Sequence, residues 1–172
     1  MIYYLVILVI FILFKVLFNL YNNYNFANKI IHNLWVGNKK AAFDRSFLKK
    51  NNIKLIINCT KTIPFIDNNN IKKYRLSVHD NGSKETKNGI LSNIDEIIEL
   101  IDNSINKKEG ILIHCYAGMQ RAPTIACCYL IHKLNINNKK AIQYIKNQRK
   151  VAFRPIINYK NVIYKFYIKK LK

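Results

Sequence analysis

The longest apolar run of the chain lies at its beginning. Every residue of 2–14 is apolar or Tyr, Lys15 interrupts the run, and it resumes as far as Tyr21. As one helix, this segment would rise roughly 30 Å at about 1.5 Å per residue, which matches the hydrocarbon core of a bilayer. The pattern therefore predicts a transmembrane anchor over residues 1–21, followed by an Asn-rich tether over residues 22–29.

The flanks of this run predict how the anchor is oriented. No basic residue precedes it, and no small-residue cleavage site follows it before Asn28, so the pattern does not favour a cleaved signal peptide. The nearest basic residues, Lys15 and Lys29, lie near or beyond its end. Because cytosolic flanks carry the excess of basic residues, we expect a single-pass membrane protein whose C-terminal domain faces the cytosol.

The rest of the chain alternates short β-branched runs with helical spacings. One apolar stripe, formed by Ile94, Ile97, Ile98 and Ile101, predicts a helix over 92–105 with Ser92 as its N-cap. The other predicted elements are strands at 54–59, 73–78 and 111–114 and helices at 41–50 and 124–134. About 140 residues follow the anchor and tether, which is enough for one α/β core over residues 30–172.

The large net charge of the chain says little about its partners. The chain has 29 Lys and Arg against 9 Asp and Glu, for a formal net charge of +20. Such basicity is typical of proteins that bind nucleic acid or anionic membrane surfaces. Here the lysines are spread over every segment among abundant Asn, Ile and Tyr, rather than gathered in one stripe. Nucleic acid is therefore not the expected partner.

The segment 111–123 carries the most specific chemistry. An apolar strand pattern ends at Cys115, Arg121 follows six residues later, Gly118 permits an unusual loop backbone, and Pro123 suits the first turn of a helix. A loop at a helix N-terminus binds anions through its backbone N–H groups, and an Arg adds a bidentate fork. The same positive field stabilises a thiolate at Cys115. The expected phosphate-binding residues are Tyr116, Ala117, Gly118, Met119, Gln120 and Arg121.

These residues also resemble a known signature. His114-Cys115, Gly118 and Arg121, set between a strand and a helix, are similar to the signature of cysteine-dependent protein phosphatases, and their surroundings resemble the dual-specificity branch. The resemblance covers residues 30–171. It implies a three-layer α/β domain with a small, mostly parallel twisted sheet flanked by helices. It also implies that His114 supports the loop by hydrogen-bonding the backbone.

The resemblance implies an activity as well. Phosphotyrosine, phosphoserine and phosphothreonine of phosphorylated proteins would be hydrolysed through a phosphocysteine intermediate, with Cys115 as nucleophile and Arg121 as phosphate ligand. No cofactor is implied, and the His and Cys residues show no zinc spacing. Two alternatives stay open: a catalytically weak phosphate-binding module, and an enzyme that acts on phosphoinositides or RNA 5′-phosphates.

A general acid must protonate the leaving group from a second loop. Asp80, in the polar segment after the predicted strand 73–78, is the best candidate and matches the family's acid loop. Other interpretations are an Asp that only shapes a turn, or a family alignment that places the acid at position 81, which is Asn81 here. Glu85 is the fallback.

Two positions resemble the phosphatases of regenerating liver. Ala122-Pro123 follows the signature Arg, where most of the wider family has Ser or Thr, whose hydroxyl helps the thiolate leave. Cys59, at the end of the neighbouring strand, matches a cysteine that can pair with the nucleophile, although the favoured interpretation is an ordinary small buried residue. Breakdown of the phosphoenzyme is therefore expected to be slow.

Overall fold

A five-stranded mixed sheet forms the centre of the computed structural model, which describes residues 2–22 and 26–171. In spatial order its strands are β1 (Ala27–Ile31), β2 (Leu34–Gly37), β5 (Gly110–His114), β3 (Ile53–Asn58) and β4 (Lys72–Arg75). The β1–β2 pair is antiparallel, and the other three pairs are parallel. Every residue of β5 is buried, as expected of a parallel strand covered on both faces.

Helices cover both faces of this sheet. They are α2 (Lys39–Phe43), α3 (Arg45–Lys50), α4 (Lys84–Asn106), α5 (Arg121–Leu134), α6 (Asn138–Gln148) and α7 (Lys160–Lys170). Helix α1 (Ile2–Asn22) precedes the sheet, and none of its side chains that the structure describes belongs to either of the two cores below. Helices α4 to α7 enclose the larger core against one face, and α2 and α3 close a smaller core on the other. The α/β architecture with a central sheet flanked by helices is therefore confirmed.

Several element boundaries differ from those predicted, and three of the differences have a clear local cause. Asp44 divides the predicted helix 41–50, because its side chain caps α3 by accepting a hydrogen bond from the Phe47 N–H at 2.9 Å. Helix α4 begins at Lys84 rather than near Ser92, with Ser83 as its N-cap. Strand β4 ends at Arg75, because the next residues leave the sheet through a tight turn in which Val78 N–H donates to the Leu76 carbonyl.

The predicted membrane anchor is wrong. Among the residues that the structure describes, none of the helices is both long and apolar enough to cross a membrane. The uninterrupted apolar run of 2–14 would rise only about 20 Å before Lys15, against roughly 30 Å of hydrocarbon. The predicted single-pass location with a cytosolic domain is therefore contradicted. Of the predicted tether 22–29, residues 23–25 lie outside the described residues and 27–29 belong to β1.

Candidate active site

Cys115 lies at the carboxyl end of the central strand. Because β2, β3 and β5 run parallel, all three end at the same edge of the sheet. Cys115 follows β5 directly and is 1% exposed, so its thiol is buried at this edge of the sheet. On the neighbouring strand, the Cys59 N–H donates to the His114 carbonyl at 2.8 Å, which brings the end of β3 beside the start of the loop.

The loop after Cys115 turns its carbonyl groups toward the body of the domain. The five carbonyl oxygens of residues 116–120 accept hydrogen bonds, in chain order, from Lys39 N, Arg149 Nη2, Arg149 Nε, Phe153 N and Thr124 N, at distances of 2.7–3.3 Å. In a trans peptide the N–H points opposite to the C=O of the preceding residue. The N–H groups of residues 117–121 are therefore directed toward the inside of the loop, where an anion would sit.

Gly118 is required by both its backbone angle and its surroundings. Its φ of +67° lies in the left-handed region that side chains disfavour. A Cβ at this position would stand 2.5 Å from the Gly37 carbonyl oxygen and 2.7 Å from Nη2 of Arg149. The glycine thus allows the loop to pack against β2 while keeping its curvature.

Arg149 supports the loop from behind, a role that sequence reasoning missed. Its side chain is fully buried at the end of α6, and it donates from Nε to the Gly118 carbonyl at 2.7 Å and from Nη2 to the Ala117 carbonyl at 3.3 Å. Nη1 also donates to Asn28 Oδ1 at 2.6 Å. In a chain with 29 basic residues, nothing in the local pattern distinguishes this one.

The Gln120 side chain faces away from the loop interior. Its Nε2 donates to the carbonyls of Arg154 and Ile156 at 3.1 and 2.8 Å, and its Oε1 accepts from the Asn158 N–H at 3.2 Å. These three bonds join the loop to the segment before α7. Gln120 can therefore contribute its backbone to a phosphate site, while its side chain serves the fold.

Arg121 and Asp80 meet in a pocket beside the loop. Arg121 Nη2 lies 3.2 Å from Asp80 Oδ2, while its Nη1 donates to the carbonyls of Cys59 and Val78 at 2.9 and 3.1 Å. The pocket has a volume of about 170 Å³. It is lined by Thr60, Lys61, Thr62, Ile63, Val78, His79, Asp80, Tyr116 and Arg121.

The other two positions considered for the general acid do not lie beside Arg121. Asn81 Oδ1 accepts hydrogen bonds from the Ser83 N–H and the Thr86 hydroxyl, so its amide shapes the start of α4. Glu85 lies in the exposed first turn of α4 and does not line the pocket. The structure thus brings Asp80, and neither alternative, beside Arg121.

Tyr159 is a second residue that the sequence did not single out. It precedes α7 and is fully buried, and its hydroxyl lies 3.2 Å from Asp80 Oδ1 and 3.3 Å from the His79 carbonyl. Burial and the nearby Asp80 charge raise the pKa of Tyr159 to about 12. This phenol therefore remains a hydrogen-bond donor throughout the physiological pH range.

His114 lies beneath the loop, and its role as a backbone hydrogen-bonder stays a prediction. The residue is fully buried, and neither ring nitrogen has a hydrogen-bond partner among the described residues. Burial lowers the pKa of His114 to about 4, the Cys115 backbone opposes this shift, and the charges of Arg75 and Arg121 add to it. The neutral ring thus fills space under the loop at physiological pH.

Cys59 is buried at the same sheet edge as Cys115. Burial raises the pKa of the Cys59 thiol, the nearby Cys115 raises it further, and the charge of Arg121 opposes both effects. Both cysteines are unpaired. Cys59 is therefore held as a neutral thiol, and a negative charge on Cys115 opposes its ionisation.

Comparisons with known proteins agree with this geometry. The chain matches the family described as "Dual specificity phosphatase, catalytic domain" over residues 34–169. It is 28% identical to human dual specificity protein phosphatase 9 over 127 residues, which cover 73% of this chain and 32% of that protein. A probable dual specificity protein phosphatase of Dictyostelium discoideum is 33% identical over 128 residues, covering 68% of this chain and 54% of that protein.

Solved structures show the same fold. The crystal structure of human DUSP28 gives a TM-score of 0.78 at 18% identity, covering 86% of this chain and 96% of that one. At such low identity the likeness concerns the fold alone. The chain spans about a third of the length of the human relative that it matches in sequence.

Proposed function

The chain belongs to the dual specificity phosphatase catalytic-domain family, and on that premise we propose that it hydrolyses phosphate monoesters of phosphorylated proteins through a phosphocysteine intermediate. One observation carries the proposal. The carbonyl groups of residues 116–120 all bond outward, which turns a ring of amide donors inward at the edge where Cys115 ends its strand. A ring of this kind suits the three outer oxygens of a phosphoryl group.

In the first step, the Cys115 thiolate attacks phosphorus and the bond from phosphorus to the ester oxygen breaks. The leaving oxygen takes a proton from the Asp80 carboxyl group, while the loop amides and Arg121 stabilise the outer oxygens. Arg121 lines the same pocket as Asp80, which supports this assignment. Binding of the dianion would draw the guanidinium from its contact with Asp80 toward the phosphate.

In the second step, a water oxygen attacks phosphorus, the bond from sulfur to phosphorus breaks, and Asp80 accepts a proton from the water. Inorganic phosphate leaves and the Cys115 thiolate is restored. These two steps require no metal or cofactor. The amides of residues 117–121 would hold the phosphoryl group through both.

The residue after Arg121 supports a slow second step. Ala122 is fully buried in the first turn of α5 and offers no hydroxyl to the departing sulfur. The Thr124 hydroxyl, one residue beyond Pro123, donates to the Gln120 carbonyl at 2.8 Å and is already engaged. The Ala-Pro pair and Cys59 resemble the phosphatases of regenerating liver. We therefore propose that phosphoenzyme breakdown limits turnover and that Cys59 is a candidate redox partner of Cys115.

The test is release of phosphate from p-nitrophenyl phosphate and from phosphotyrosyl, phosphoseryl and phosphothreonyl peptides by the full chain, with Cys115→Ser as the blank. We expect turnover by the wild-type chain and none by the variant. Vanadate binding without product release would instead indicate a phosphate-binding module. Higher activity on phosphoinositide vesicles or on RNA 5′-phosphates than on peptides would contradict the proposed substrate class.

A further inference from the structure

The Tyr159 hydroxyl connects the last helical segment to the loop that carries Asp80. It lies 3.2 Å from Asp80 Oδ1 and 3.3 Å from the His79 carbonyl. One hydroxyl thus contacts two consecutive residues of this loop. Because the ring itself is fully buried, this hydroxyl is a fixed point against which the loop is placed.

The two oxygens of Asp80 have different partners. Oδ1 faces the Tyr159 hydroxyl, and Oδ2 faces Arg121 Nη2 at 3.2 Å. In the proposed reaction Arg121 turns to the phosphate, so Oδ2 loses its partner when substrate binds. Oδ1 keeps its partner, because Tyr159 belongs to the core and not to the phosphate site.

We propose that Tyr159 is the positioning residue of the general acid: its hydroxyl holds Asp80 Oδ1, so that Oδ2 faces the substrate and carries the transferred proton. The inference rests on the proposed function and adds to it. In the first step the proton passes from Oδ2 to the leaving oxygen, and in the second it returns from water to Oδ2. Tyr159 keeps its own proton in both steps and donates to Oδ1 throughout.

Tyr159→Phe removes the hydroxyl and leaves the buried ring. The matched control is Tyr129→Phe, which also removes the hydroxyl of a fully buried ring, one that donates to Asp102 Oδ1 at 2.8 Å. Tyr129 does not line the pocket, so this control reports the general cost of losing a buried tyrosine-to-aspartate hydrogen bond.

The experiment measures kcat and KM for aryl phosphates whose leaving phenols range from p-nitrophenol to unsubstituted phenol. Tyr159→Phe should lower kcat/KM for phenyl phosphate about 3- to 10-fold, the range that one hydrogen bond supplies. The value for p-nitrophenyl phosphate should stay nearly unchanged, because that leaving group hardly needs a proton. Tyr129→Phe should leave the whole series unchanged.

A double variant separates positioning from folding. Tyr159→Phe should add no further loss on an Asp80→Asn background, since a residue that acts through Asp80 has no effect once the acid is gone. Equal losses across the leaving-group series, or additive losses in the double variant, would overturn the inference while the proposed function stands. Absence of turnover by the wild-type chain on every aryl phosphate would overturn both.

Discussion

The two loops that line the candidate pocket are held in different ways. In the phosphate loop, residues 116–120, every carbonyl is bonded to the body of the domain, and the proposed nucleophile Cys115 before it is 1% exposed. The acid loop, residues 79–82, is held largely by the side chains of Tyr159 and Arg121, and the Asp80 side chain is 37% exposed. A binding step that is the same for every phosphate monoester suits a fixed backbone cage. Proton transfer to varied leaving groups suits a loop that depends on a few side chains.

The largest effect is expected at the nucleophile. Cys115→Ser replaces a thiolate with a hydroxyl that is far harder to ionise, so turnover should fall by several orders of magnitude. The amide ring is unchanged, so vanadate or phosphate should still bind. Phosphate release and calorimetric titration with vanadate measure the two quantities. Retention of normal turnover would show that the mechanism is wrong.

Removing the acid should slow the first step most for leaving groups that need a proton. Asp80→Asn should lower kcat/KM for phenyl phosphate by about 10²- to 10⁴-fold, the usual contribution of a general acid, and that for p-nitrophenyl phosphate much less, because kcat/KM reports the first step. Steady-state kinetics across a series of leaving groups measures the difference. Glu85→Gln is the control and should leave the series unchanged. If Glu85→Gln, and not Asp80→Asn, showed the dependence, the assignment would move to Glu85.

Two glycines offer a direct comparison of the loops. Gly118 and Gly82 have φ values of +67° and +63°, but a Cβ meets nothing within 4 Å at Gly82 and two groups within 2.7 Å at Gly118. Gly82→Ala should cost about 1 kcal/mol of stability through backbone strain alone. Gly118→Ala should cost more and should also weaken vanadate binding, because Gly37 or Arg149 must move.

Urea unfolding and vanadate titration of both glycine variants measure these effects. Equal losses of stability together with unchanged vanadate affinity would show that the phosphate loop is no more constrained than the acid loop. The Gly82→Ala variant is the reference for backbone strain without crowding. The wild-type chain is the reference for stability and for vanadate affinity.

The same contrast explains what the sequence could predict. Cys115, Gly118 and Arg121 lie within seven consecutive residues, so their spacing alone indicates an anion-binding loop at a helix N-terminus. Arg149 and Tyr159 contact their loops across 31 and 79 positions of the chain, respectively, and no local pattern reveals such pairs. The proposal of Asp80 as general acid depends on the family resemblance, which points to its loop.

Helix α4 shows why the ends of an element are harder to predict than its existence. The apolar stripe used for the prediction begins at Ile94, so the predicted helix starts at Ser92. In the structure Gly89 lies within the helix, where a Cβ would come 3.2 Å from Val78. The glycine therefore permits close packing beside the acid loop, a tertiary reason that overrides its low helix propensity.

Lowering the pH should destabilise the domain through His114, which lies beneath the phosphate loop. Because the pKa of His114 is about 4 in the folded protein, below its ordinary value of 6.5, the unfolded chain takes up the proton first as pH falls. The stability contributed by the neutral, buried His114 is intact above about pH 6.5 and is lost progressively toward pH 4. At about pH 5 the loss is roughly 2 kcal/mol. Urea unfolding at about pH 7 and pH 5 measures it.

His114→Asn provides the control for this effect. The variant should be less stable at neutral pH, because it leaves space in the core, but its stability should change less between the two pH values. An equally steep decline in the variant would place the titrating group elsewhere in the domain.

The smallest expected effect is a gain in turnover at Ala122, which lies between Arg121 and Pro123. A hydroxyl at position 122 would donate to the Cys115 sulfur as it regains negative charge, which aids phosphoenzyme hydrolysis more than the first attack. Ala122→Ser should therefore raise steady-state turnover roughly 10-fold, since a hydrogen bond to a charged group is worth about 1.5–3 kcal/mol and position 122 is fully buried. The initial burst of product should change little. Rapid-quench measurement with p-nitrophenyl phosphate resolves both phases. An unchanged steady-state rate with the burst still present would mean that loss of the thiolate from phosphorus does not limit this enzyme.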